Sequence, residues 1–275
     1  MKLSIIIPVG NRDEWAVCEA SLKASVAAYD GPWQAEIVAV EDLDHEGAYV
    51  ARNKGLDRAT GEWITWVDCD DVVEPSWFGT ICRAIDEEPS CDVLVFGIIE
   101  DRDGRSRQIY SPERHVEDGA AYARWMIGGL GMPHWLWHRA FRRELWEGVR
   151  FAGRVKQDYQ ASLQFLPRVR RVQFIPDCLY HYIRHGHGLS NYVQKMDYDS
   201  ACRGFLELVE KLPEAWRHEG RRGVALMMTD VILHDARARG ANKYLRPFFW
   251  EILFLWGMPF GFRLKSLLAA LVWWR

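Results

Sequence analysis

Short apolar runs that end in acidic residues dominate the first third of the chain. Residues 3–9, 36–40 and 63–67 are apolar and rich in β-branched side chains, which is typical of strands buried in a parallel sheet. Segments of helical character, residues 14–28 and 47–59, lie between them. This alternation predicts an α/β fold with a mostly parallel sheet, in which ligands bind beyond the carboxyl ends of the strands.

Carboxylates follow two of these three strands. Glu41 and Asp42 end the second strand, and Asp68, Asp70 and Asp71 end the third. Asp68 and Asp70 flank a single residue, so a turn at the strand end aims both at one point. Mg²⁺ and Mn²⁺ take such oxygen ligands and often share them with substrate phosphates. A polar turn that caps the next helix is the alternative interpretation, because Asp is common in turns.

Four short motifs occur in order along the first 71 residues. They read Ser4-Ile5-Ile6-Ile7-Pro8-Val9, Ala51-Arg52-Asn53-Lys54-Gly55-Leu56, Ala59-Thr60-Gly61-Glu62 and Val67-Asp68-Cys69-Asp70-Asp71. Together they resemble the family 2 glycosyltransferases of GT-A fold, closely over residues 1–100 and more loosely over 130–192. The resemblance implies a Rossmann-like, mostly parallel sheet flanked by helices, with a C-terminal helical extension. It also implies an inverting enzyme that uses a nucleotide diphosphate sugar.

The resemblance assigns a donor site to residues near the strand ends. The residues expected to bind the nucleotide sugar are Pro8, Val9, Asn11, Glu41, Asp42, Arg52, Asn53, Asp68 and Arg184. Asp42 would bind a uracil-type base, which makes a UDP-sugar the expected donor. For Arg52, the alternative is a solvated helix face on which it pairs with Glu46 or Asp57.

The expected cofactor is Mn²⁺ or Mg²⁺, with Asp70, Asp68 and His185 as its ligands. His185 belongs to the segment Leu179 to Ser190, which resembles the family's Tyr-x-Tyr-Arg segment near the end of the catalytic domain. His187 is an alternative to His185. Three histidines within seven residues, at 181, 185 and 187, would elsewhere suggest zinc, which is the less favoured interpretation here.

Asp158 is the expected catalytic base. Inverting transfer needs a carboxylate that takes the proton of the acceptor hydroxyl as the anomeric carbon is attacked. The family usually has Glu-Asp at this position, at the start of a helix predicted over residues 158–165. Gln157 replaces that Glu here. The alternative role for Asp158 is an acid at a helix N-terminus, stabilised by the helix dipole.

A second departure from the family lies between Asp42 and Arg52. About nine residues separate them, where the family usually has a helix and another strand. The sheet is therefore expected to be one strand smaller on this side. Further along the chain, a strand over residues 92–99, a hairpin turn at 101–104 and a helix over 117–130 are predicted.

Charge is distributed unevenly although the net charge is only −3. Residues 1–100 hold 7 basic and 20 acidic residues, whereas residues 139–171 hold 9 basic and 3 acidic ones. An acidic region suits a divalent cation and a basic one suits a diphosphate, although unequal solvated surfaces would give the same count. Nothing indicates nucleic-acid binding. The six scattered cysteines indicate neither zinc nor disulfides, and a cytoplasmic location is expected.

The C-terminal segment, residues 248–275, is apolar and rich in Trp, but its uninterrupted runs fall short of the ~20 residues that span a bilayer. Peripheral contact with the inner face of the membrane, packing on the core and a homodimer interface are the interpretations. The predicted division is a nucleotide-sugar part at 1–100, an acceptor part at 101–192 and a helical extension at 193–275.

These observations predict a glycosyltransferase that acts on a saccharide or lipid-linked saccharide in the assembly of a bacterial surface glycan. Two alternatives remain. A non-catalytic nucleotide-sugar-binding paralogue would account for the shortened sheet and Gln157. A metal-dependent nucleotidyltransferase also uses paired Asp residues, but residues 8–15 lack the glycine-rich, basic phosphate loop of that class.

Overall fold

A computed structural model describes most of the 275 residues. The described residues are 1–42, 46–128, 134–153, 156–184, 198–227, 229, 242–254 and 260–271. The chain forms two compact units. The first unit comprises Met1–Gly119, Trp135–Arg154 and Arg168–Val193, and the second comprises Ala120–His134, Val155–Pro167 and Gln194–Arg275. Both are discontinuous in sequence; the predicted three-part division remains a prediction.

The first unit begins with alternating strands and helices. The elements are β1 (Lys2–Val9), α1 (Arg12–Ala27), β2 (Gln34–Glu41), α2 (Ala48–Arg58) and β3 (Trp63–Trp66). Strand β1 pairs in parallel with both β2 and β3, as the apolar runs predict. Its residues from Leu3 to Val9 are all buried, which explains why the run has no polar alternation.

The rest of the first unit completes a mixed sheet. Its further elements are β4 (Val72–Val73), α3 (Trp77–Glu87), β5 (Val93–Arg102), β6 (Arg105–Tyr110), β7 (His115–Asp118), β8 (Arg139–Arg142) and β9 (Arg171–Ile183). Within the described residues the sheet has nine strands, in the order β2-β1-β3-β8-β5-β9-β4, with β6 beside β5 and β7 beside β9. Strand β8 is antiparallel to β3 and β5, whereas β5 and β9 are parallel.

One sequence expectation is confirmed and one is corrected. The hairpin from β5 to β6 turns at Asp103 and Gly104, both with positive φ. Within the described residues strand β2 lies at the sheet edge, and a sheet that is one strand smaller on this side stays a prediction. The helix predicted over 117–130 begins instead at Gly119, because residues 115–118 form strand β7, which pairs antiparallel with β9.

The second unit is helical. Its helices are α4 (Gly119–Ile127, of which Gly119 belongs to the first unit), α5 (Gln157–Phe165), α6 (Tyr198–Glu210), α7 (Arg217–Met227), α8 (Asn242–Leu245), α9 (Phe249–Leu253) and α10 (Phe260–Leu271). Tyr159 lies at its core, where the hydroxyl donates to the Ile127 carbonyl at 2.9 Å. Of the helices that the structure describes, none combines the length and the apolar character that crossing a bilayer requires.

Candidate active site

The ends of three neighbouring strands bring the acidic residues together at one edge of the sheet. Val9 is in register with Glu41, and the Asp42 amide donates to the Val9 carbonyl at 3.0 Å. The Val67 amide donates to the Ile6 carbonyl at 3.1 Å, so the loop that follows β3 leaves the sheet beside the end of β1. Strands β2 and β3 flank β1, so the residues that follow β2 and the residues that follow β3 lie at the same edge of the sheet.

The loop Asp68-Cys69-Asp70-Asp71, here called the acidic loop, is a tight turn. The Asp71 amide donates to the Asp68 carbonyl at 3.2 Å, and this closes the turn. Cys69 is buried, and burial raises the pKa of its thiol to about 11. The thiol therefore stays protonated at neutral pH, which agrees with its interpretation as a spacer between carboxylates.

Arg52 holds one side of the acidic loop. Its Nη2 donates to Asp68 Oδ1 at 3.0 Å, and its side chain is only 12% exposed. Its guanidinium lies over the ring of Phe151, with Cζ 5.7 Å from the ring centroid. Glu46 and Asp57, its alternative partners, form ion pairs with Lys54 and Arg150. The structure thus pairs Arg52 with Asp68 of the acidic loop, and its predicted role beside the nucleotide stays a prediction.

Tyr180 of β9 holds the other side. Its hydroxyl donates to Asp71 Oδ2 at 2.8 Å and accepts the Asp68 amide at 3.0 Å. Asp71 Oδ1 accepts the Ile183 amide at 2.7 Å. Burial, reinforced by the charges of Asp68 and Asp70, raises the pKa of Asp71 well above its ordinary value. Sequence reasoning assigned no role to Asp71, and it read Tyr180 only as part of a motif.

Stacked aromatic rings continue from Tyr180 to the surface. Trp137 stacks on Tyr180 at 4.4 Å, Trp135 stacks on Trp137 at 5.0 Å, and Tyr182 lies 5.6 Å from Trp137. Trp137 and Tyr180 are buried, whereas Trp135 is 37% exposed. The Arg184 guanidinium lies over the Tyr182 ring, with Cζ 6.0 Å from its centroid. One side of the acidic loop is therefore held by a rigid aromatic column with an exposed end.

Several residues predicted to bind the donor make hydrogen bonds or ion pairs within the protein. Asn11 caps α1 through the Asp13 amide at 2.9 Å, and Glu41 pairs with Arg12 at 2.8 Å. The two carboxylate oxygens of Asp42 accept the amides of Glu46 and Gly47, each at 2.8 Å. The side chain of Asn53 forms reciprocal hydrogen bonds with the Phe151 backbone, at 2.9 and 3.0 Å. Pro8 and Val9 are buried. Donor binding by these residues stays a prediction.

Asp158 belongs to the second unit, so the structure does not relate its position to the acidic loop. It lies in the first turn of α5, where the Ser162 hydroxyl donates to its carbonyl at 2.7 Å. His185 and His187 lie outside the described residues. Among the residues that the structure describes, no group of three or more His, Cys, Asp or Glu side chains is arranged to hold a metal ion.

His181 has a different environment from the one that a histidine cluster would suggest. Its Nδ1 lies 2.7 Å from Asp101 Oδ2, and its Nε2 lies 2.7 Å from Glu74 Oε1. Burial by itself would lower the pKa of His181, but the hydrogen bonds to Glu74 and Asp101 outweigh burial and raise the pKa above 6.5. Sequence reasoning missed this bridge, because its three members are far apart in the chain.

The sequence profile of the family described as Glycosyl transferase family 2 matches residues 34–147, which include α2, the acidic loop and the buried column residue Trp137. Residues 34–147 of this chain are thus similar to glycosyl transferase family 2. This similarity agrees with the family that the four motifs suggest.

Curated relatives carry glycosyltransferase names. The uncharacterized glycosyltransferase YibD of Escherichia coli (strain K12) is 27% identical over 226 residues, which cover 69% of this chain and 63% of YibD. The putative glycosyltransferase EpsH of Bacillus subtilis (strain 168) is 23% identical over 219 residues, which cover 73% of this chain and 61% of EpsH. The matched region thus spans about three fifths of the length of each relative.

Solved structures of TarS from S. aureus share the fold. The crystal structure of TarS residues 1–349 in complex with UDP-GlcNAc superposes with a TM-score of 0.66 at 16% identity, and covers 98% of this chain and 89% of that one. The structure of the same TarS segment with UDP has a TM-score of 0.64 at 15% identity and the same coverage. The predicted GT-A fold, a mixed and mostly parallel sheet flanked by helices, is therefore confirmed.

Proposed function

We propose that this protein is an inverting, metal-dependent glycosyltransferase that moves a sugar from a UDP-linked donor to an acceptor hydroxyl. The observation that carries the proposal is the acidic loop, fixed between Arg52 and Tyr180 at the carboxyl end of β3. Loops at this edge of an α/β sheet are the usual place for a nucleotide ligand. The similarity of residues 34–147 to glycosyl transferase family 2 supports the reaction class.

The donor is proposed to be a UDP-sugar bound by the strand-end residues of the first unit. Pro8, Val9 and Asn11 end or follow β1, and Glu41 and Asp42 end or follow β2. TarS, which shares the fold, has been crystallised with UDP-GlcNAc and with UDP, and this supports the same class of donor here. Asp42 would accept from the base and Asn53 would hold the Phe151 segment in place.

The acidic loop suits a hard divalent cation such as Mn²⁺ or Mg²⁺. Asp68 and Asp70 supply carboxylate oxygens, which these ions prefer, and ions of this kind usually complete their shell with water and substrate phosphates. Asp68 and Asp70 would be the protein ligands, and Asp68 also accepts from Arg52. When bound, the ion would offset the negative charge of the leaving diphosphate, and Arg184 would add a second positive charge.

Asp158 is proposed to accept the proton of the acceptor hydroxyl while that oxygen attacks the anomeric carbon. The bond between this carbon and the diphosphate breaks on the opposite side, so the anomeric configuration is inverted. Gln157 cannot share the proton, because its amide is not a base in this pH range. Asp158 would therefore act without a neighbouring carboxylate on this turn of α5.

The acceptor is proposed to be a saccharide or lipid-linked saccharide of a bacterial surface glycan. The exposed end of the aromatic column supports a sugar acceptor. Trp135 offers an apolar ring that is supported from behind by Trp137, and the carbon face of a pyranose packs on such rings.

A panel of nucleotide sugars tests the function. Each sugar is incubated with Mn²⁺ or Mg²⁺, and the slow release of UDP by hydrolysis or transfer is measured, with Asp70→Asn as the matched variant. We expect turnover of one or a few UDP-sugars, loss of turnover in the variant, and an inverted anomer by NMR. Binding of UDP-sugars without any turnover would instead favour the non-catalytic paralogue.

A further inference from the structure

Two helices near the C-terminus expose large apolar side chains. Ten large hydrophobic side chains are exposed in the described part of the chain, and six of them lie on α9 and α10 or immediately after α9. They are Trp250 (70% exposed), Leu253 (38%), Phe254 (66%), Phe260 (73%), Leu264 (47%) and Leu268 (49%). Such a concentration within about twenty residues differs from the scattered single apolar residues of an ordinary surface.

Helix α10 exposes large apolar side chains and buries small or polar ones. Phe260, Leu264 and Leu268 follow one another at intervals of four, so they form one stripe along the helix, and all three are exposed. Among the described side chains of this helix, the buried ones are small or polar: Ser266, Ala269 and Ala270. Ser266 Oγ lies 3.2 Å from Thr229 Oγ1 inside the unit. A helix on an aqueous surface normally turns its large apolar residues inward and its polar residues outward.

Basic residues accompany this stripe. The described segments 242–254 and 260–271 contain Lys243, Arg246, Arg263 and Lys265, and Glu251 is their only acidic residue. Glu251 is already engaged, since it forms ion pairs with Arg222 and with His218. Lys243, Arg246 and Lys265 are exposed. The described segments that contain the exposed apolar side chains thus carry a net positive charge.

We propose that α9 and α10 form a docking surface for an anionic lipid membrane, here called the C-terminal surface. Exposed Trp, Phe and Leu residues beside Lys and Arg are the chemistry of helices that lie in the lipid interface. The apolar side chains would enter the boundary between headgroups and acyl chains, and the cations would lie among anionic headgroups. The proposal does not depend on the proposed function, because binding requires neither donor nor acceptor.

A second copy of the chain fits this surface less well. Homodimers usually form by a two-fold axis that places the same patch of each copy on the other. Such an interface would gather both sets of Lys and Arg residues, and within the described segments 242–254 and 260–271 only the engaged Glu251 of each copy would oppose them. An anionic lipid surface has the opposite charge and therefore removes this repulsion.

Sedimentation of the full chain with vesicles tests the proposal. We expect the protein to pellet with vesicles of phosphatidylcholine that contain phosphatidylglycerol, and to bind pure phosphatidylcholine much more weakly. Binding should weaken in 1 M salt, where the Debye length falls to about 3 Å. Light scattering in the absence of vesicles measures the oligomeric state in the same samples.

Variants separate the apolar from the electrostatic contribution. Leu264→Ser with Leu268→Ser should abolish pelleting, and Lys265→Gln should weaken binding about fivefold, as expected for one charge near an anionic surface. Val17→Ser is the matched control, because Val17 is 61% exposed on α1 of the first unit and should have no effect. Circular dichroism checks that each variant remains folded.

Two results would overturn the proposal. The first is full-length protein that stays in the supernatant with anionic vesicles at low salt. The second is a dimer that dissociates in the Leu264 and Leu268 double variant while vesicle binding is absent, which would make the C-terminal surface an interface between copies. Failure of the nucleotide-sugar panel would leave the membrane result unaffected, so the two proposals fail separately.

Discussion

At the scale of single residues, the Tyr180 hydroxyl determines how the acidic loop is held. It accepts from the Asp68 amide and donates to the Asp71 carboxylate, so it satisfies two polar groups of the loop at once. Tyr180 and Asp71 are buried, and a buried polar group that loses its partner is costly. The geometry of the proposed ligands Asp68 and Asp70 thus depends on a residue more than a hundred positions away.

Replacing Tyr180 by Phe should therefore weaken both folding and nucleotide binding. The variant leaves Asp71 Oδ2 and the Asp68 amide without the hydroxyl, which is expected to cost about 1–3 kcal/mol of unfolding free energy. UDP affinity should fall because the acidic loop is no longer fixed. Urea unfolding and calorimetry measure the two effects.

Tyr29→Phe is the matched control for this substitution. Tyr29 packs edge-on against Phe78 in the same unit, beyond the C-terminal end of α1, and its loss of a hydroxyl should change UDP affinity little. If Tyr180→Phe bound UDP as tightly as the wild type, the hydroxyl would have no part in positioning the loop.

The proposed dependence of UDP binding on a metal ion also rests on single residues. Because Asp70 and Asp68 are the proposed ligands, UDP binding should need Mn²⁺ or Mg²⁺, and Asp70→Asn should bind UDP weakly even when the ion is present. Titration calorimetry with the ion and with EDTA measures this. Equal UDP affinity in both conditions would contradict the assignment of the metal.

At the scale of elements, β9 connects the acidic loop with the rest of the sheet. Its residues pair in parallel with β5 and antiparallel with β4. His181 adds a side-chain link, since it bridges Glu74, which follows β4, and Asp101 of β5. Both partners are carboxylates and accept hydrogen bonds, so both ring nitrogens must carry a proton, which requires the imidazolium form.

This bridge predicts a pH-dependent contribution to stability. The folded-state pKa of His181 is raised above 6.5, so its contribution is complete below about pH 6.5 and is lost as the pH rises through the folded-state value. His181→Asn should lower the Tm of the protein by several degrees at about pH 6 and by less at about pH 9. Differential scanning calorimetry at both pH values measures this difference.

A surface histidine provides the comparison for this pH series. His115 lies exposed on β7 and stacks on Phe174, so His115→Asn is the control for the loss of an imidazole that does not bridge two carboxylates. A larger loss for His181→Asn at high pH than at low pH would contradict the charged bridge.

Elements with strong local patterns could be predicted, and elements that depend on distant partners could not. The runs of β1 and β3 are buried and largely apolar, and β2 contains the apolar run Ile37 to Val40, so the alternation of strands and helices was predictable. Strand β8 has only four residues, two of them Arg, and it forms because β3 and β5 flank it on both sides. No local sequence pattern predicts such a strand.

The same limit applies to the candidate site. Asp68, Asp70 and Arg52 were predicted because short motifs contain them, and the structure brings Arg52 and Asp68 together. The partnership of Asp71 and Tyr180 joins residues 109 positions apart, and the bridge at His181 joins three separate segments. These contacts arise from strand order, which the sequence pattern does not specify.

At the scale of the whole molecule, the predicted site residues are divided between two units. The strand ends, the acidic loop and the aromatic column belong to the first unit, whereas Asp158 and the C-terminal surface belong to the second. The chain passes between the units several times. Residues 120–134 and 155–167 belong to the second unit, and the segments before and after each of them in the sequence belong to the first. Donor binding and acceptor activation should therefore be separable by mutation.

Asp158→Asn tests this separation. If Asp158 accepts the proton of the acceptor, the variant should lose about 10²–10⁴ in transfer rate, because an amide cannot serve as a general base. UDP affinity should stay close to that of the wild type, since the proposed nucleotide ligands lie in the other unit. Steady-state rates with the donor found in the panel, together with UDP calorimetry, measure both quantities.

The alternative role of Asp158, an acid that stabilises the first turn of α5, makes a different prediction. Loss of the charge would then cost about 0.3–1 kcal/mol of stability and leave the rate unchanged. Glu219→Gln is the matched control, because Glu219 lies in the first turn of α7 in the same unit and pairs with Arg124. Loss of turnover in Asp158→Asn but not in Glu219→Gln, at similar stability, would assign the proton transfer to Asp158, whereas near wild-type turnover in both would favour the role at the helix terminus.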